Sequence, residues 1–278
     1  MLVVIGDLVA DLIVLGGATL ERGTDNPAEV RLTRGGSAAN VAAAAAVQHP
    51  SRFIGRVGDD TLARALVGEL EAAGVDAKVQ RHGRTGSIVV LVDAVGERTM
   101  ITDRGAAAEL DDIDPAWTAD ADWVHAPLYG FAAVRSARAV TDAAARAAAQ
   151  GARVSVDLSS VATMRALGGE GLRRVLGELK PDVVFANEDE ARTATELGVE
   201  PDAVYVVKRG AAPVLVTVDG KATEVPVERV DDVLDSTGAG DAFAAGFIVA
   251  ALEGAGPRES ARAGSVLAMS ALRRPGAL

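Results

Sequence analysis

Short apolar runs alternate with Ala-rich stretches of helical period along most of the chain. Residues 3–5, 52–57, 123–126, 153–157, 183–186 and 204–208 have the continuous Val/Ile/Leu character of strands buried on both faces. Between them the spacing predicts helices over 37–48, 61–73, 134–150, 172–179, 189–197, 242–252 and 257–272. Strand then helix, repeated, specifies a mostly parallel sheet covered by helices. The expected fold is α/β, a doubly wound sheet in a single domain spanning residues 1–278.

Two stretches break the alternation. Residues 12–33 hold two short runs around the turn-prone Thr24-Asp25-Asn26-Pro27. Residues 86–103 suggest a hairpin, 87–93 and 97–103, turning at Val95-Gly96. Neither stretch has a helix of its own. Inserted strand pairs must lie outside the main sheet, so together they are expected to form a small β lid. Its apolar positions need cover, which predicts a homodimer in which the lids meet.

Composition narrows the partners. There are 28 Lys+Arg against 39 Asp+Glu, a net charge of −11. This argues against nucleic acid or an anionic membrane as the main partner, since both require a basic face. A small anionic ligand needs only a local donor cluster. The absence of cysteine removes disulfides, thiolate metal sites and a Cys nucleophile. The N-terminal apolar run carries Asp7 and Asp11 and lacks a basic leader, so it suggests strand and not signal peptide. No apolar run approaches the ~18 residues of a membrane span. A cytoplasmic protein is expected.

The sharpest chemical signal is Asp235-Ser236-Thr237-Gly238-Ala239-Gly240-Asp241, where an apolar run ends at Leu234 and a helix starts near Asp241. Gly238 and Gly240 allow positive φ, so successive N–H groups can point into one concavity at a helix N-terminus. The helix dipole adds partial positive charge and completes an anion cradle. Asp241 stands beside the cradled group as a proton acceptor, expected to stay ionised at neutral pH. The plainer alternative is a tight turn with Asp241 as N-cap or first-turn acid.

Gly35-Gly36-Ser37-Ala38-Ala39-Asn40 again passes from strand through paired glycines into helix. Two positions without side chains, then an amide one turn later, suit the hydroxyls of a small polar ligand. The alternative is a strand–helix turn with Ser37 as N-cap. Asn187 and Glu190, after the strand 183–185, share one helix face. They suit the water shell of a magnesium ion, and equally a capping box. His49, His82 and His125 are too scattered for a metal site. The first two are expected in surface loops, and His125 at the cleft rim in a mainly structural role. Arg34, Arg98 and Arg104 are expected to be solvated or ion-paired, or else to meet an anionic substrate group from the lid. Trp117 and Trp123 are expected to pack.

Together the segments resemble the PfkB (ribokinase-like) carbohydrate kinase family. Residues 235–241 look like its C-terminal signature and 35–42 like its N-terminal one. Residues 54–60, 187–190, Lys208-Arg209-Gly210 and 272–277 are similar to further family stretches, in family order. The resemblance implies a ribokinase-like doubly wound sheet with a β lid, and ATP-dependent phosphorylation of a hydroxyl, usually a sugar CH₂OH. By the same likeness Asp241 would be the base, and the amides of Gly238, Ala239 and Gly240 the hole for the transferring phosphoryl group. Asp11, Gly35, Gly36 and Asn40 would hold substrate hydroxyls. Asn187 and Glu190 would position Mg²⁺-bound water, and Asn187, Lys208 and Gly210 would lie beside the nucleotide. ATP and Mg²⁺ are the cofactors implied. In members that bind a monovalent cation, part of that site comes from beyond Pro275-Gly276-Ala277. This sequence stops at Leu278, so K⁺ is expected less than the other two. Some members also carry an acidic substrate contact where this chain has Pro127-Leu128-Tyr129.

The rival classes lack their signatures. A nicotinamide dehydrogenase needs Gly-x-Gly-x-x-Gly opening its first helix, whereas Gly6 is followed by further strand, and Phe243 occupies the third glycine position after Gly238 and Gly240. No Walker Gly-x4-Gly-Lys-Ser/Thr occurs. A nucleoside kinase of the same fold and a catalytically silent sugar- or nucleotide-sensing protein remain as alternatives. Nucleobase recognition typically uses aromatic faces, and none lies in 11–34 or 84–104, which favours a sugar.

Overall fold

The computed structural model describes residues 1–16, 20–93, 98–230, 233 and 237–273. After β1 (Leu2–Gly6) comes a strand pair, β2 (Val9–Leu15) and β3 (Glu29–Gly35), then α1 (Ser37–Ala46), β4 (Ser51–Val57), α2 (Thr61–Ala72) and β5 (Asp76–Arg81). The second pair is β6 (Thr85–Val92) and β7 (Arg98–Gly105). Then β8 (Trp123–Pro127), α3 (Val134–Ala149), β9 (Arg153–Asp157), α4 (Val161–Leu179), β10 (Val183–Asn187), α5 (Glu188–Glu196) and β11 (Val204–Lys208) alternate. A hairpin, β12 (Val214–Val218) and β13 (Lys221–Val225), precedes α6 (Ala239–Leu252) and α7 (Pro257–Leu272).

Nine strands form one sheet in the order β13-β12-β11-β10-β9-β8-β1-β4-β5, parallel from β11 through β5 and antiparallel at β12 and β13. Alternation along β1 shows how both faces are filled. Leu2 and Val4 enter a core with α1, α2 and α6, while Val3 and Ile5 enter a second core with α3, α4 and α5. All four are fully buried, as continuous apolar strands require.

The inserted pairs do lie outside this sheet. They form a separate four-stranded sheet, β3-β2-β6-β7, in which β2 and β6 pair in parallel from Ala10↔Ser87 to Leu15↔Val92. The expected turn at Val95-Gly96 falls outside the described residues. Asn26 closes the other turn, exchanging hydrogen bonds with the Glu21 backbone.

Several boundaries differ from expectation. α6 begins at Ala239, three residues before the predicted start at Ala242, so the glycine turn itself enters the helix. α4 begins at Val161 instead of Leu172, and Gly168 (φ 66) interrupts it. β5, β12 and β13 were not anticipated.

Candidate functional site

The parallel strands deliver polar residues to one edge of the sheet. Asp157 ends β9, Asn187 ends β10, Lys208 ends β11, and Asp7 follows the last residue of β1. Strand order reverses between β1 and β8, and ligands of open α/β sheets bind outside the carboxyl ends at such a reversal.

Two glycines let the end of β3 lie close against Asp7, Leu8 and Asp11 here. A Cβ on Gly36 (φ 101) would stand 2.4 Å from the Asp7 carbonyl oxygen, and one on Gly35 would stand 2.2 Å from the Asp11 carboxylate. A side chain at Gly36 would run into backbone, and one at Gly35 would have to displace the Asp11 carboxylate. Ser37 is the first helical residue and not the N-cap, which is Gly36. Its hydroxyl instead donates to Asp241 Oδ1 at 2.6 Å, and Asn40 Nδ2 donates to Asp241 Oδ2 at 3.0 Å. The two glycine-led segments therefore meet at one carboxylate.

Gly238, in the left-handed conformation, opens α6 (φ 74). The N–H groups of Ala239, Gly240 and Asp241 lie in the first turn, where no carbonyl of the helix itself can accept them. Lys208 Nζ would stand 3.4 Å from a Cβ on Gly240. That lysine pairs with Asp157 Oδ2 at 2.5 Å, and Asp157 Oδ1 also accepts from the Ser159 backbone N–H at 2.9 Å. The first turn of α6 thus combines amides that have no partner among the described residues with a neighbouring, largely enclosed cation.

Burial dominates the electrostatics. It pushes the Asp241 carboxyl up to about 7, against the lowering effect of the Ser37 and Asn40 hydrogen bonds; Asp157 raises it further and Lys208 lowers it. This corrects the expectation of full ionisation at neutral pH: desolvation outweighs the hydrogen bonds made at the helix start. Burial, then Asp7, raises Asp11 to about 6, and its Oδ1 is buried without a partner. The Glu190 carboxyl goes up to about 7, first by burial and then by Asp157.

Asn187 and Glu190 form a complete capping box. Asn187 Oδ1 accepts from Glu190 N at 2.9 Å, and Glu190 Oε2 accepts from Asn187 N at 2.8 Å. Asn187 Nδ2 adds a bond to Glu190 Oε1 at 2.8 Å. The described residues contain no group of three or more His, Asp or Glu side chains arranged to hold a metal ion directly. An ion held through its own water asks less. Each carboxylate oxygen keeps a lone pair, and a cation would restore the charge that burial suppresses at Glu190. The donor set fits that kind of magnesium site.

Beside the α6 start opens a cavity of 610 Å³. Asn187, Lys208, Gly210 and Gly240 line its polar part, and Val227, Phe243, Ala268, Met269 and Leu272 its apolar part. The sequence reading missed this wall, although Ala268 and Leu272 are one helical turn apart. It also missed Asp157, an acid at the end of a buried strand, and assigned Ser37 only a cap. Ser236, Asp235 and residues 275–277 lie outside the described residues.

The remaining candidates fall into place around this centre. Arg104 Nη1 binds Asp7 Oδ2 at 2.5 Å, and its guanidinium stacks 3.8 Å above the Tyr129 ring. Arg34 is buried on Asn40 and not solvated. His125 is fully buried within β8 instead of lining the rim. It shares Ser155 Oγ with Trp123 and meets the Phe185 ring edge-on, and burial pushes it down to about 4. It is neutral packing, as Trp123 is.

The fold and the glycine-led site define a ribokinase-like kinase. The family model for pfkB family carbohydrate kinases matches residues 1–278. An ATP-dependent ribose-1-phosphate kinase of Halopiger xanaduensis is 35% identical over 245 residues, 81% of this chain and 76% of that protein. A fructokinase of Klebsiella pneumoniae is 30% identical over 258 residues, 84% and 82% of the two chains. Among solved structures, fructokinase with bound ATP from Xylella fastidiosa aligns with a TM-score of 0.83 at 25% identity, over 99% of this chain and 93% of that one. Adenosine kinase from Sinorhizobium meliloti aligns at 0.87 and 24% identity, over 99% and 94%. The chain belongs to the pfkB family of carbohydrate kinases, and it is a phosphotransferase with an alcohol group as acceptor.

Proposed function

We propose that the protein is an ATP-dependent kinase of a monosaccharide or simple sugar derivative. The observation that carries this reading is the Asp241 carboxylate, held by Ser37 and Asn40 at the mouth of the α6 amide cradle. A substrate hydroxyl held by Asp11, Asn40 and the backbone at Gly35 and Gly36 would face it. As the hydroxyl oxygen bonds to the γ-phosphorus, its proton passes to Asp241 and the bond to the β,γ-bridging oxygen breaks, releasing ADP. The amides of Gly238, Ala239 and Gly240 and the Lys208 ammonium would neutralise the charge on the transferring group, which is most of what phosphoryl transfer asks of a protein. The 610 Å³ cavity beside this cradle is the place for the nucleotide, its apolar wall suiting the base and Lys208 and Gly210 the phosphates. Magnesium, held through water by Asn187 and Glu190, would supply charge neutralisation at the phosphates.

A sugar is favoured over a nucleoside because the aromatic rings nearest the substrate side, among the described residues, are already packed or stacked. Phe53 and Phe131 are buried in the two cores, and Arg104 covers the Tyr129 ring. The test has two arms. Asp241→Asn should lower kcat by at least ~10² with nucleotide affinity nearly intact; near-normal turnover would remove Asp241 from the reaction. In the second arm, kcat/KM is compared for ribose, ribose 1-phosphate, fructose, 2-keto-3-deoxygluconate and adenosine. A preference for adenosine would replace the sugar reading, and no turnover on any acceptor would favour a sensing protein.

A further inference from the structure

We propose that Arg34 is a positioning residue for Asp241, acting through the Asn40 side chain by fixing which end of its amide faces the carboxylate. The inference rests on the reading of Asp241 as the base.

The two ends of an asparagine amide have nearly the same shape, so its neighbours decide its orientation. Here the neighbours leave one answer. Arg34 Nη1 donates to Asn40 Oδ1 at 3.1 Å, and Asn40 Nδ2 donates to Asp241 Oδ2 at 3.0 Å. A guanidinium can only donate and an ionised carboxylate can only accept. Turning the amide over would set NH₂ against guanidinium and carbonyl against carboxylate, two repulsive contacts in place of two bonds.

Arg34 is 6% exposed, yet among the described residues it forms no ion pair. Among the described residues its hydrogen bond is to Asn40. Burying a guanidinium without a carboxylate partner opposes folding. A buried cation whose hydrogen bond goes to the residue that bonds Asp241 fits a role in the site.

Other charges around Asp241 set the background. Asp157 reaches it from β9, Lys208 from β11 and Tyr129 from the turn after β8, while Ser37 and Asn40 bond it from α1. Arg34 lies on β3 among the fields of Glu69, Asp241 and Asp11. Without Arg34 one of the two forces against the turned amide is gone and only the Asp241 carboxylate itself opposes it, so the Asn40 bond that favours the ionised form of Asp241 is held less firmly.

The measurement is a double-mutant cycle read as pH–rate profiles. Arg34→Met should lower kcat about tenfold, the weight of one hydrogen bond to a charged group. It should also move the acidic limb of the profile to higher pH. In an Asn40→Ala background the same Arg34 substitution should move both much less, leaving only the direct field between Arg34 and Asp241. An unshifted limb in Arg34→Met, or an equal shift with and without Asn40, would overturn the proposal. If Arg34→Met fails to fold, Arg34→Gln carries the same test, since an amide can donate or accept and no longer dictates the orientation. Asp241→Asn is measured alongside. Retained turnover there would sink the base reading itself, whereas an inactive Asp241→Asn beside an unshifted Arg34→Met sinks only this inference.

Discussion

Asp241 accepts two hydrogen bonds, and burial still raises it to about 7. A base must have lost its proton to accept another, so turnover should climb with pH up to about 7 and level off above. A profile flat from pH 5.5 to 8 would contradict this. Stability should run the other way. The folded-state value lies above the ordinary carboxylate value of 3.8. The folded protein therefore holds that proton more tightly than the unfolded chain, and the stabilisation is lost as pH rises through about 7. Asp241→Asn removes the buried charge, so the variant should melt above the wild type at pH 8, with the gap closing toward pH 4. Comparing variant with wild type isolates this site from Glu190 and Asp11, which titrate in the same range. Sequence motifs identified the acid, the glycines and the amide of this site. They did not identify Ser37 or Asp157 as its neighbours, because those contacts join elements far apart in the chain, and they did not show that Arg34, six residues before Asn40, turns inward onto it.

At the level of elements, α6 is the scaffold of the site, and it is packed on every side. Its buried residues run from Ala242 to Ala251, including Phe243 and Phe247. Gly246 and Gly264 let α7 lie close against it: a Cβ on Gly264 would come 2.7 Å from the Phe243 carbonyl oxygen and 3.2 Å from its ring. Gly264→Ala should therefore cost about 1–3 kcal/mol through overpacking, measured by urea unfolding. Because Phe243 also walls the cavity, the KM for ATP should rise more than that for the sugar. An unchanged urea midpoint would show that the helices separate freely. The buried strands were legible because both faces are apolar. The edge strand β5, Asp-Ala-Lys-Val-Gln-Arg, was not, since only Ala77 and Val79 pack inward. β12 and β13 carried a readable signal that was passed over: Asp219-Gly220, with φ of 49 and 72, is a hairpin turn of the primed kind. The first part of α4 was hidden by Gly168-Gly169, a pair that reads as a helix end and here only breaks the helix.

At the scale of the whole molecule, the small sheet leaves an apolar face open. Residues directly opposite across strands share a face, and the register aligns Leu32, Leu12, Val89 and Ile101 in one row. Val30, Val14 and Leu91 form the next. Leu32 and Ile101 are each 60% exposed and Val30 58%, at the two outer strands. Apolar rows of this extent, on a sheet whose edges β3 and β7 are unpaired among the described residues, are a liability that proteins usually cover. A second copy offers the same face and the same need, so a symmetric pairing buries both at once. The expected state is a dimer joined through these sheets, as the lack of helical cover over 12–33 and 86–103 already suggests. Because Asp11 lies on β2 and Gly35 ends β3, that pairing would also brace the strands proposed to carry substrate contacts. Leu32→Glu should therefore give a monomer by light scattering at micromolar concentration and raise the sugar KM more than the ATP KM. A monomeric wild type would remove the dimer. A Leu32→Glu protein that stays dimeric would move the interface to another face.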